Sequence, residues 1–445
     1  MATKQSVFAP SYEDILDDVE KKSKITQGAM SADAIAGSTV STTLLGTDLM
    51  LGGGIIGGRW YTFFGAEGSG KSTHLMHMKM GAVDAKIPIL QDNDYEGSAA
   101  PDYCAGIMQY ACKSVKDVEA FYGLADNKGK WVKKPLIRYY NPSTAEDFFN
   151  PVASLLRKLP DKVYLEGNWF YAWDADKPGR AAAGAGYSKT MFTKYGRLFV
   201  EAENGLPQAI FYVDSYPAMF PSALDEDDAG RGMAAVARVM SENVPKVFPK
   251  LRPKNAVIIG VNQLRQRPGF TMGDPSYEPA GDTLKFASSV RVRQTPRAVP
   301  HASGQIEKEQ SVLFPNTEDT YRYIHMKAIK NKISTPYLES WQRVWVDDGT
   351  GNAHGFCPVY DTFQYLKNTG QADGNMKKFK VVIDKLSLSL SWPQFKTLIL
   401  KGPNLTKVLK ELHLAKDPQI RGRCFHQLRA GTGFDLFFKQ KKSEE

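Results

Sequence analysis

The sequence predicts an α/β protein whose core has a mainly parallel central sheet, with a short N-terminal helical arm and a small C-terminal domain. From Trp60 to about Val299, apolar β-prone runs alternate with amphipathic stretches, which is typical of parallel strands joined by helices. A glycine-rich segment, residues 65–73, joins one apolar run to a helical stretch. The chain has 445 residues, which is enough for two or three domains.

The predicted strands are short apolar runs bounded by turn residues, and the predicted helices carry apolar residues at helical spacing. The strands are expected at Trp60–Phe64, Ile87–Gln91, Leu136–Tyr140, Ala209–Val213, Ala256–Val261 and Val290–Gln294. The helices are expected at Ser72–Ala85, Ala145–Leu159 and Met233–Val244.

The predicted domain boundaries follow changes in composition. Residues 1–36 form a polar arm with one amphipathic stretch, Tyr12–Lys24, which is either a frayed segment or a helix that docks on another subunit. Residues 37–345 form the core, and residues 346–445 form the C-terminal domain. Within the core, residues 162–207 break the alternation of strands and helices. Their aromatic and basic side chains suit contact with single-stranded nucleic acid, and an insertion with its own small core fits equally well.

The charge balance permits a polyanionic partner without requiring one, because 57 Lys and Arg against 48 Asp and Glu give a net charge of +9. The four cysteines lack metal-ligand spacing and predict reduced thiols. His74 and His77 favour a packed or solvent-facing pair over a metal site, because no cysteine or carboxylate partner is near in sequence. With no apolar run resembling a signal peptide or a membrane span, we expect a cytoplasmic protein without membrane contact.

The segment that joins strand to helix has the pattern G-x-x-x-x-G-K-[ST], which binds phosphate in this context. Its glycines allow backbone N–H groups to surround a phosphate at the start of the helix. Lys71 supplies a positive charge for the outer phosphates, and the Ser72 hydroxyl can ligate Mg²⁺. The predicted binding residues are Gly65, Ala66, Glu67, Gly68, Ser69, Gly70, Lys71, Ser72 and Thr73. This segment predicts binding of a nucleoside triphosphate.

Acidic residues follow two further predicted strands. Asp214 ends the second of them, where an aspartate can hold Mg²⁺ through water or cap the next helix. The phosphate loop upstream favours the metal role. The other strand leads to three carboxylates that could orient an attacking water, Asp92, Asp94 and Glu96.

Another strand, Ala256–Val261, ends in Asn262 and Gln263. A side-chain amide at this point can contact the γ-phosphate and move the chain that follows. That chain, residues 264–283, is long, polar and rich in Gly and Pro. A loop of this length in a compact domain is usually functional or disordered.

The order of these motifs resembles the RecA-type recombinases, both bacterial RecA and the phage recombinases. The resemblance covers about Val40–Tyr337, apart from residues 162–207. It implies a RecA-like P-loop ATPase core that uses ATP and Mg²⁺, with Ser72 and Asp214 holding the metal and Tyr103 stacking on adenine.

The family resemblance also implies the catalytic residues. The segment from Asp94 to Tyr103 resembles the family's D-x-E…P-x-Y motif, which makes Glu96 the catalytic carboxylate and leaves Asp94 as the alternative. Gln263 would sense the γ-phosphate. Lys330 and Lys332 stand in a KNKI…P segment, and the resemblance implies that they reach the nucleotide of a neighbouring subunit.

Two segments resemble the family's DNA-binding loops. The first precedes and enters the helix that contains Arg238, and the second lies in residues 264–283. The implied DNA-binding residues are Arg231, Met233, Arg238, Arg265, Arg267, Phe270 and Met272.

The function that the resemblance implies is that of a DNA-dependent ATPase. Such a protein polymerises as a filament on single-stranded DNA and catalyses homologous pairing and strand exchange with double-stranded DNA. Further candidate partners are single-strand-binding and mediator proteins, and the expected compartment is a bacterial or virus-infected bacterial cytoplasm. Two alternatives stay open: a RecA-fold hexameric helicase motor, and a recombinase paralogue or mediator with weak ATPase activity.

Overall fold

The structure is a computed structural model. It describes residues 39–97, 100–112, 114–165, 168–174, 187–194, 197–202, 205–222, 232–266, 276–296, 320–347, 355–368, 372–375, 378–383 and 386–395. The predicted arm, residues 1–36, therefore lies outside the described residues, as does most of the first predicted DNA-binding loop.

The strands, in chain order, are β1 (Thr39–Val40), β2 (Ile55–Ile56), β3 (Trp60–Gly65), β4 (Ile89–Asp94), β5 (Leu124–Ala125), β6 (Trp131–Lys133), β7 (Arg138–Tyr140), β8 (Asp161–Leu165), β9 (Asn168–Asp174), β10 (Tyr187–Lys194), β11 (Arg197–Ala202), β12 (Ala209–Asp214), β13 (Ala256–Gln263), β14 (Arg265–Gln266), β15 (Ser276–Tyr277), β16 (Val290–Pro296), β17 (Thr320–Asn331), β18 (Glu339–Asp347), β19 (Gly355–Phe356), β20 (Ala372–Asn375), β21 (Lys378–Ile383) and β22 (Leu386–Leu390).

The helices, in chain order, are α1 (Leu45–Leu51), α2 (Lys71–Asp84), α3 (Pro101–Ala111), α4 (Val118–Tyr122), α5 (Ala145–Lys158), α6 (Gly232–Leu251), α7 (Gly281–Ala287) and α8 (Pro358–Asn368). Among the parts of the chain that the structure describes, no helix combines the length and the apolar character needed to cross a bilayer.

A nine-stranded sheet forms the centre of the fold, in the order β19-β18-β17-β16-β3-β13-β12-β4-β7. The strands from β16 to β7 pair in parallel, and β17, β18 and β19 add antiparallel strands at one side. Every residue of β3 and β12 is buried, because helices cover both faces of the parallel part. The predicted α/β class with a mainly parallel sheet is confirmed.

Two apolar cores lie on the two faces of this sheet. Along β3 the side chains alternate, so that Tyr61 and Phe63 join a core with α2 and α3, whereas Trp60 joins a core with α5 and α6. The same alternation separates Tyr212 from Phe211 on β12. Each fully buried aromatic side chain stabilises the fold by about 1.5–3 kcal/mol. The two cores fix the carboxyl ends of the parallel strands, where the predicted site residues lie.

The predicted insertion contains a separate four-stranded antiparallel sheet in the order β10-β11-β9-β8. Phe170, Ala172 and Phe199 form a small apolar cluster within it. The Asn255 side chain connects this sheet to the core, because its Nδ2 donates a hydrogen bond to the Tyr171 hydroxyl at 2.8 Å. The insertion thus has a small core of its own, and its contact with nucleic acid stays a prediction.

The bounds of most predicted elements agree with the structure to within three residues, and two differences from the predicted organisation are larger. The helix expected to end at Val244 continues to Leu251, through Pro245 and Pro249. The buried side chains of Val247 and Leu251 stabilise this extension by packing in the core. After residue 346, β19 pairs with β18 in the central sheet, and α8 packs on α1 and β18. The start of a separate C-terminal domain stays a prediction.

Candidate functional site

The predicted phosphate loop connects β3 to α2 at the carboxyl edge of the parallel strands. Gly65 lies so close to β16 that an added Cβ atom would be 2.1 Å from the carbonyl oxygen of Gln294. Gly68 and Gly70 have left-handed backbone conformations, with φ of +67° and +75°. Glycine is therefore required at these positions, and α2 starts directly afterwards at Lys71.

The Lys71 side chain folds back over this loop. Its Nζ donates hydrogen bonds to the carbonyl oxygen of Ala66 at 2.7 Å and to Ser69 Oγ at 3.3 Å. Burial lowers the pKa of the Lys71 ammonium, and the nearby carboxylates of Asp214 and Glu96 oppose that shift. A partly desolvated ammonium beside open space is a favourable partner for a phosphate anion.

The loop borders a half-open cleft of about 430 Å³. Its lining residues are Glu67, Gly68, Ser69, Gly70, Lys71, Ser72, Thr73, Glu96, Asp214, Val261 and Gln263. The structure thus brings together the phosphate loop, the candidate metal ligand, the candidate catalytic carboxylate and the candidate phosphate sensor. Val261 is a lining residue that sequence reasoning missed, because an apolar residue inside a buried strand carries no functional signal.

Asp214 lies at the bottom of the cleft and is only 5% exposed. Its Oδ1 atom has no hydrogen-bond partner among the described residues. Burial raises the pKa of this carboxyl to about 6, and Glu96 adds to the shift while Lys79 opposes it. An unpaired buried carboxylate oxygen beside the Ser72 hydroxyl offers the hard oxygen ligands that Mg²⁺ prefers. These residues therefore fit the ion that the sequence implies.

The two candidate carboxylates Asp94 and Glu96 have different surroundings. Asp94 is 3% exposed, and its Oδ1 accepts the backbone N–H groups of Glu96 and Gly97 at 3.0 and 2.9 Å. Its Oδ2 accepts a hydrogen bond from the Tyr139 hydroxyl at 3.1 Å. Glu96 is exposed and lines the cleft. Asp94 thus holds the turn, and Glu96 faces the space where a nucleotide would lie.

Gln263 and Ser215 both bind Glu96. Gln263 Nε2 donates to Glu96 Oε1 at 3.0 Å, and the Ser215 hydroxyl donates to the same oxygen. Gln263 ends β13, with its Cα paired to that of Gly65 in the phosphate loop. Ser215 was not predicted, although its position next to Asp214 was a signal that could have identified it.

The second predicted DNA-binding loop has a structured base. The backbone N–H of Leu264 donates to the carbonyl oxygen of Gly65 at 3.0 Å, and β14 pairs with β15 across the loop. Asn262 Nδ2 donates to Glu278 Oε2 at 3.2 Å, and Glu278 forms a largely buried ion pair with Arg291. The base of the loop is therefore bonded directly to the phosphate loop and the central sheet.

The predicted DNA-binding side chains are only partly placed by the structure. Arg265 is exposed at the start of β14, and Arg238 is exposed on α6, where its Nε donates to Glu242 at 2.9 Å. Met233 belongs to α6, and its side chain lies outside the described part. The predicted residues that fall outside the described ranges are Arg231, Arg267, Phe270 and Met272. Their roles stay predictions.

Tyr103 lies next to the loop but does not line the cleft. It is half-buried on α3, and its hydroxyl makes a 2.8 Å hydrogen bond with Thr73 Oγ1. Burial raises the pKa of this hydroxyl. The contact connects α3 to the end of the phosphate loop, and stacking of the Tyr103 ring on adenine stays a prediction.

Lys330 and Lys332 lie away from the cleft of their own chain. In the sheet, Lys330 pairs with Arg291, and Arg291 pairs with Thr62 of β3. Thr62 is three residues before Gly65, so Lys330 is displaced from Gly65 by about 10 Å along the strand direction, and it also lies two strands away from β3. Lys330 Nζ donates to the carbonyl oxygen of Lys285 at 2.6 Å, while Lys332 is exposed. Neither lysine lines the cleft.

Comparison with known proteins finds a match to one family. Residues 206–350 match the family model for the RecA N-terminal domain. This span contains Asp214, Gln263 and the two lysines, while the phosphate loop and Glu96 precede it. The resemblance to RecA-type recombinases that the sequence predicted is confirmed over this part of the chain.

Two curated relatives support the same family. Protein RecA of Streptococcus mutans serotype c is 27% identical over 179 residues, and Protein RecA of Thermus thermophilus is 28% identical over 170 residues. Each match covers 38% of this chain and 44% of the relative, so the chain spans less than half the length of the relatives it matches.

One solved structure found by comparison is that of the RadB recombinase, at 14% sequence identity and a TM-score of 0.38. That match covers 72% of this chain and 98% of the RadB chain.

Proposed function

Because residues 206–350 match the RecA N-terminal domain, we propose that this chain is an ATP-dependent recombinase that forms filaments on single-stranded DNA and exchanges strands. One observation carries the proposal. A single cleft joins the phosphate loop to Glu96 and Gln263, and the strand that ends in Gln263 continues into the base of the second predicted DNA-binding loop. A nucleotide in the cleft would therefore act on a surface that contacts DNA.

The cleft residues have distinct roles in this proposal. Lys71 and the loop N–H groups would bind the β- and γ-phosphates, and Ser72 and Asp214 would hold Mg²⁺, which when bound would supply positive charge to stabilise the phosphates. Glu96 orients the attacking water and accepts its proton. The Ser215 and Gln263 hydrogen bonds hold the Glu96 carboxylate in position.

Gln263 would couple the nucleotide to DNA. Its amide donates to Glu96 in the structure, and a γ-phosphate in the cleft would compete for that donor. Movement of Gln263 would shift β14, which starts two residues later and pairs with β15 across the loop. Nucleotide occupancy would thus favour one of two loop arrangements by its differential affinity for them.

The experiment that tests this function is a strand-exchange assay with and without ATP. Lys71→Ala removes the positive charge from the cleft and should abolish formation of ATP-dependent joint molecules. Lys158→Ala removes an exposed lysine at the end of α5 and should leave exchange unchanged. Joint molecules formed equally by both variants would reject the assigned site.

Electron microscopy separates the proposed recombinase from its alternatives. With an ATP analogue and single-stranded DNA, a recombinase forms helical filaments, whereas a hexameric helicase forms closed rings. A paralogue with weak ATPase activity would stay in small oligomers. Rings or small oligomers under these conditions would contradict the proposal.

A further inference from the structure

An exposed apolar region lies on the β5–β6 hairpin, on β7 at one edge of the central sheet, and on the chain between them. Six of the eleven exposed large apolar side chains among the described residues fall within residues 124–140, so exposure is concentrated there. Those six are Leu124, Trp131, Val132, Leu136, Tyr139 and Tyr140. Exposed apolar side chains that cluster on a surface are typical of interaction sites. None of these residues lines the nucleotide cleft.

The same region carries unneutralised positive charge. Lys128, Lys130, Lys134 and Arg138 are exposed, and no ion pair involves them among the described residues. Lys133 differs, since it binds Asp117 at 2.8 Å and Glu119 at 3.0 Å. The acidic side chains at the start of α4 thus bind Lys133 and no other lysine of the hairpin among the described residues.

The region is held in place by its own hydrogen bonds. Asp126 Oδ1 accepts the backbone N–H groups of Lys128 and Lys130, each at 2.9 Å, which closes the hairpin. The Trp131 ring packs against Gly123, where an added Cβ atom would be 2.6 Å from the ring. Trp131 nevertheless stays 51% exposed. One part of the ring thus packs on the backbone of Gly123, and the rest is open to solvent, where it could stack on a ligand.

A direct contact joins this region to the nucleotide site. The Tyr139 hydroxyl donates to Asp94 Oδ2 at 3.1 Å, and the other oxygen of Asp94 holds the backbone of Glu96. A ligand bound against β7 would thus lie one hydrogen bond away from the turn that carries the candidate catalytic carboxylate.

We propose that this basic–aromatic surface, formed by Lys128, Lys130, Trp131, Lys134, Arg138 and Tyr140, binds a segment of single-stranded nucleic acid outside the two predicted DNA-binding loops. Charge complementarity favours this occupant, because four available cations can contact successive phosphates while exposed aromatic rings stack on bases. The surface requires no nucleotide in the cleft, so it goes beyond the proposed recombinase cycle and holds even if strand exchange is absent.

Fluorescence anisotropy with a labelled 20-nucleotide oligo(dT), in the absence of any nucleoside triphosphate, tests the proposal on the full chain. Trp131→Ala should weaken binding about tenfold by removing one stacking platform. The double variant Lys130→Gln/Lys134→Gln should reduce the slope of log affinity against log salt concentration by about 1.4, since each phosphate contact to a single strand contributes about 0.7. Trp131→Phe should restore most of the affinity.

The matched control is Arg157→Gln/Lys158→Gln, which removes two exposed charges from the end of α5. It should leave both affinity and salt slope unchanged. Photo-crosslinking with 5-iododeoxyuridine oligonucleotides should also map to the peptide that contains Trp131. If substitutions within residues 128–140 left the oligonucleotide affinity unchanged and the crosslinks mapped elsewhere, the proposal would be overturned. The surface would then be assigned to a protein partner.

Failure of this proposal can be distinguished from failure of the proposed recombinase function. Lys71→Ala chains lack the nucleotide site but keep the basic–aromatic surface, and they should retain the nucleotide-free affinity of the unaltered chain. If Lys71→Ala lost that affinity, the oligonucleotide would bind in the cleft, and the proposed role of the basic–aromatic surface would be refuted.

Discussion

Asp94 and Glu96 are separated by one residue, yet their environments give them different chemistry. The Asp94 carboxylate accepts two backbone N–H groups and a tyrosine hydroxyl, so its oxygens are already occupied. Glu96 is exposed to the cleft and shares one oxygen between two side-chain donors. Only a carboxylate with free access can accept a proton from an attacking water.

Substitution of each carboxylate tests which of the two acts as the catalytic base. Glu96→Gln keeps the shape of the side chain but removes the base, and ATP hydrolysis should fall by about 10²–10⁴-fold. Nucleotide affinity should stay within about threefold, because phosphate binding depends on Lys71. Asp94→Asn serves as the matched variant and should change hydrolysis far less. A steady-state ATPase assay in which Asp94→Asn is the inactive variant would reverse the assignment.

Asp48 shows how burial sets a dependence of stability on pH. It is fully buried, and burial raises the pKa of its carboxyl from 3.8 to about 7, against hydrogen bonds from Ser41 and Thr42. The folded chain therefore binds a proton in a pH range where the unfolded chain has released it. The contribution to stability is complete below pH 3.8 and is lost as pH rises through about 7.

We therefore expect Asp48→Asn to be more stable than the unaltered chain at pH 8 and similar to it only below about pH 4. Between pH 5 and 7 the free energy of unfolding of the unaltered chain should lose roughly 2–3 kcal/mol through this residue. Asp361, whose pKa burial raises to about 6, shifts stability in the same direction. Urea unfolding at several pH values measures the difference, and a constant gap between the two chains would contradict the assignment.

At the scale of elements, α2 connects the candidate site to β19 and to the segment that precedes α1. His77 Nε2 accepts the backbone N–H of Phe356 in β19 at 3.1 Å, which leaves the Nδ1–H to donate to Thr43 Oγ1 at 2.8 Å. Burial lowers the pKa of His77 to about 3, so the ring is neutral. His74 is also fully buried, so the two histidines pack inside the core.

His77→Ala should lower the free energy of unfolding by about 2–4 kcal/mol, because it leaves a cavity and two buried polar groups without a partner. The control Gln109→Ala, at an exposed position of α3, should change it by less than about 0.5 kcal/mol. Chemical denaturation measures both. Equal effects of the two substitutions would show that His77 does not join these elements.

The elements that the sequence predicted best are those whose signal is local. β3, β12 and β13 are continuous apolar runs because both of their faces are covered, and the phosphate loop lies between a strand and a helix. The β5–β6 hairpin was not predicted, because its side chains are exposed and follow no apolar pattern. The contact of Ser215 with Glu96 joins residues 119 positions apart, and it depends on the strand order of the sheet.

At the scale of the whole molecule, the cleft and the two lysines lie toward different edges of the sheet. Lys330 is level with Thr62, and burial together with the charge of Lys332 lowers the pKa of its ammonium. An anion supplied from outside the chain would relieve the repulsion between the two ammonium groups. A head-to-tail assembly would place the cleft of one chain against the lysines of the next, with one nucleotide between them.

A mixing experiment tests this arrangement. Lys71→Ala chains and Lys330→Ala/Lys332→Ala chains should each be inactive as ATPases on single-stranded DNA. In an equal mixture, about a quarter of the interfaces between neighbouring chains combine an intact cleft with intact lysines. About a quarter of the activity should therefore return. The double variant should also assemble poorly while keeping its nucleotide affinity as a monomer. No recovery on mixing would contradict a shared site.

In the proposed function, a nucleotide in the cleft controls the affinity of the chain for DNA. The most direct test is to measure the binding of single-stranded DNA in different nucleotide states. Anisotropy of a labelled oligonucleotide should show at least about tenfold tighter binding with a non-hydrolysable ATP analogue than with ADP or without nucleotide, in line with a coupling of 1–3 kcal/mol. Lys71→Ala should lose this increment and keep the nucleotide-free affinity. An affinity that is the same in all three nucleotide states of the unaltered chain would contradict the account.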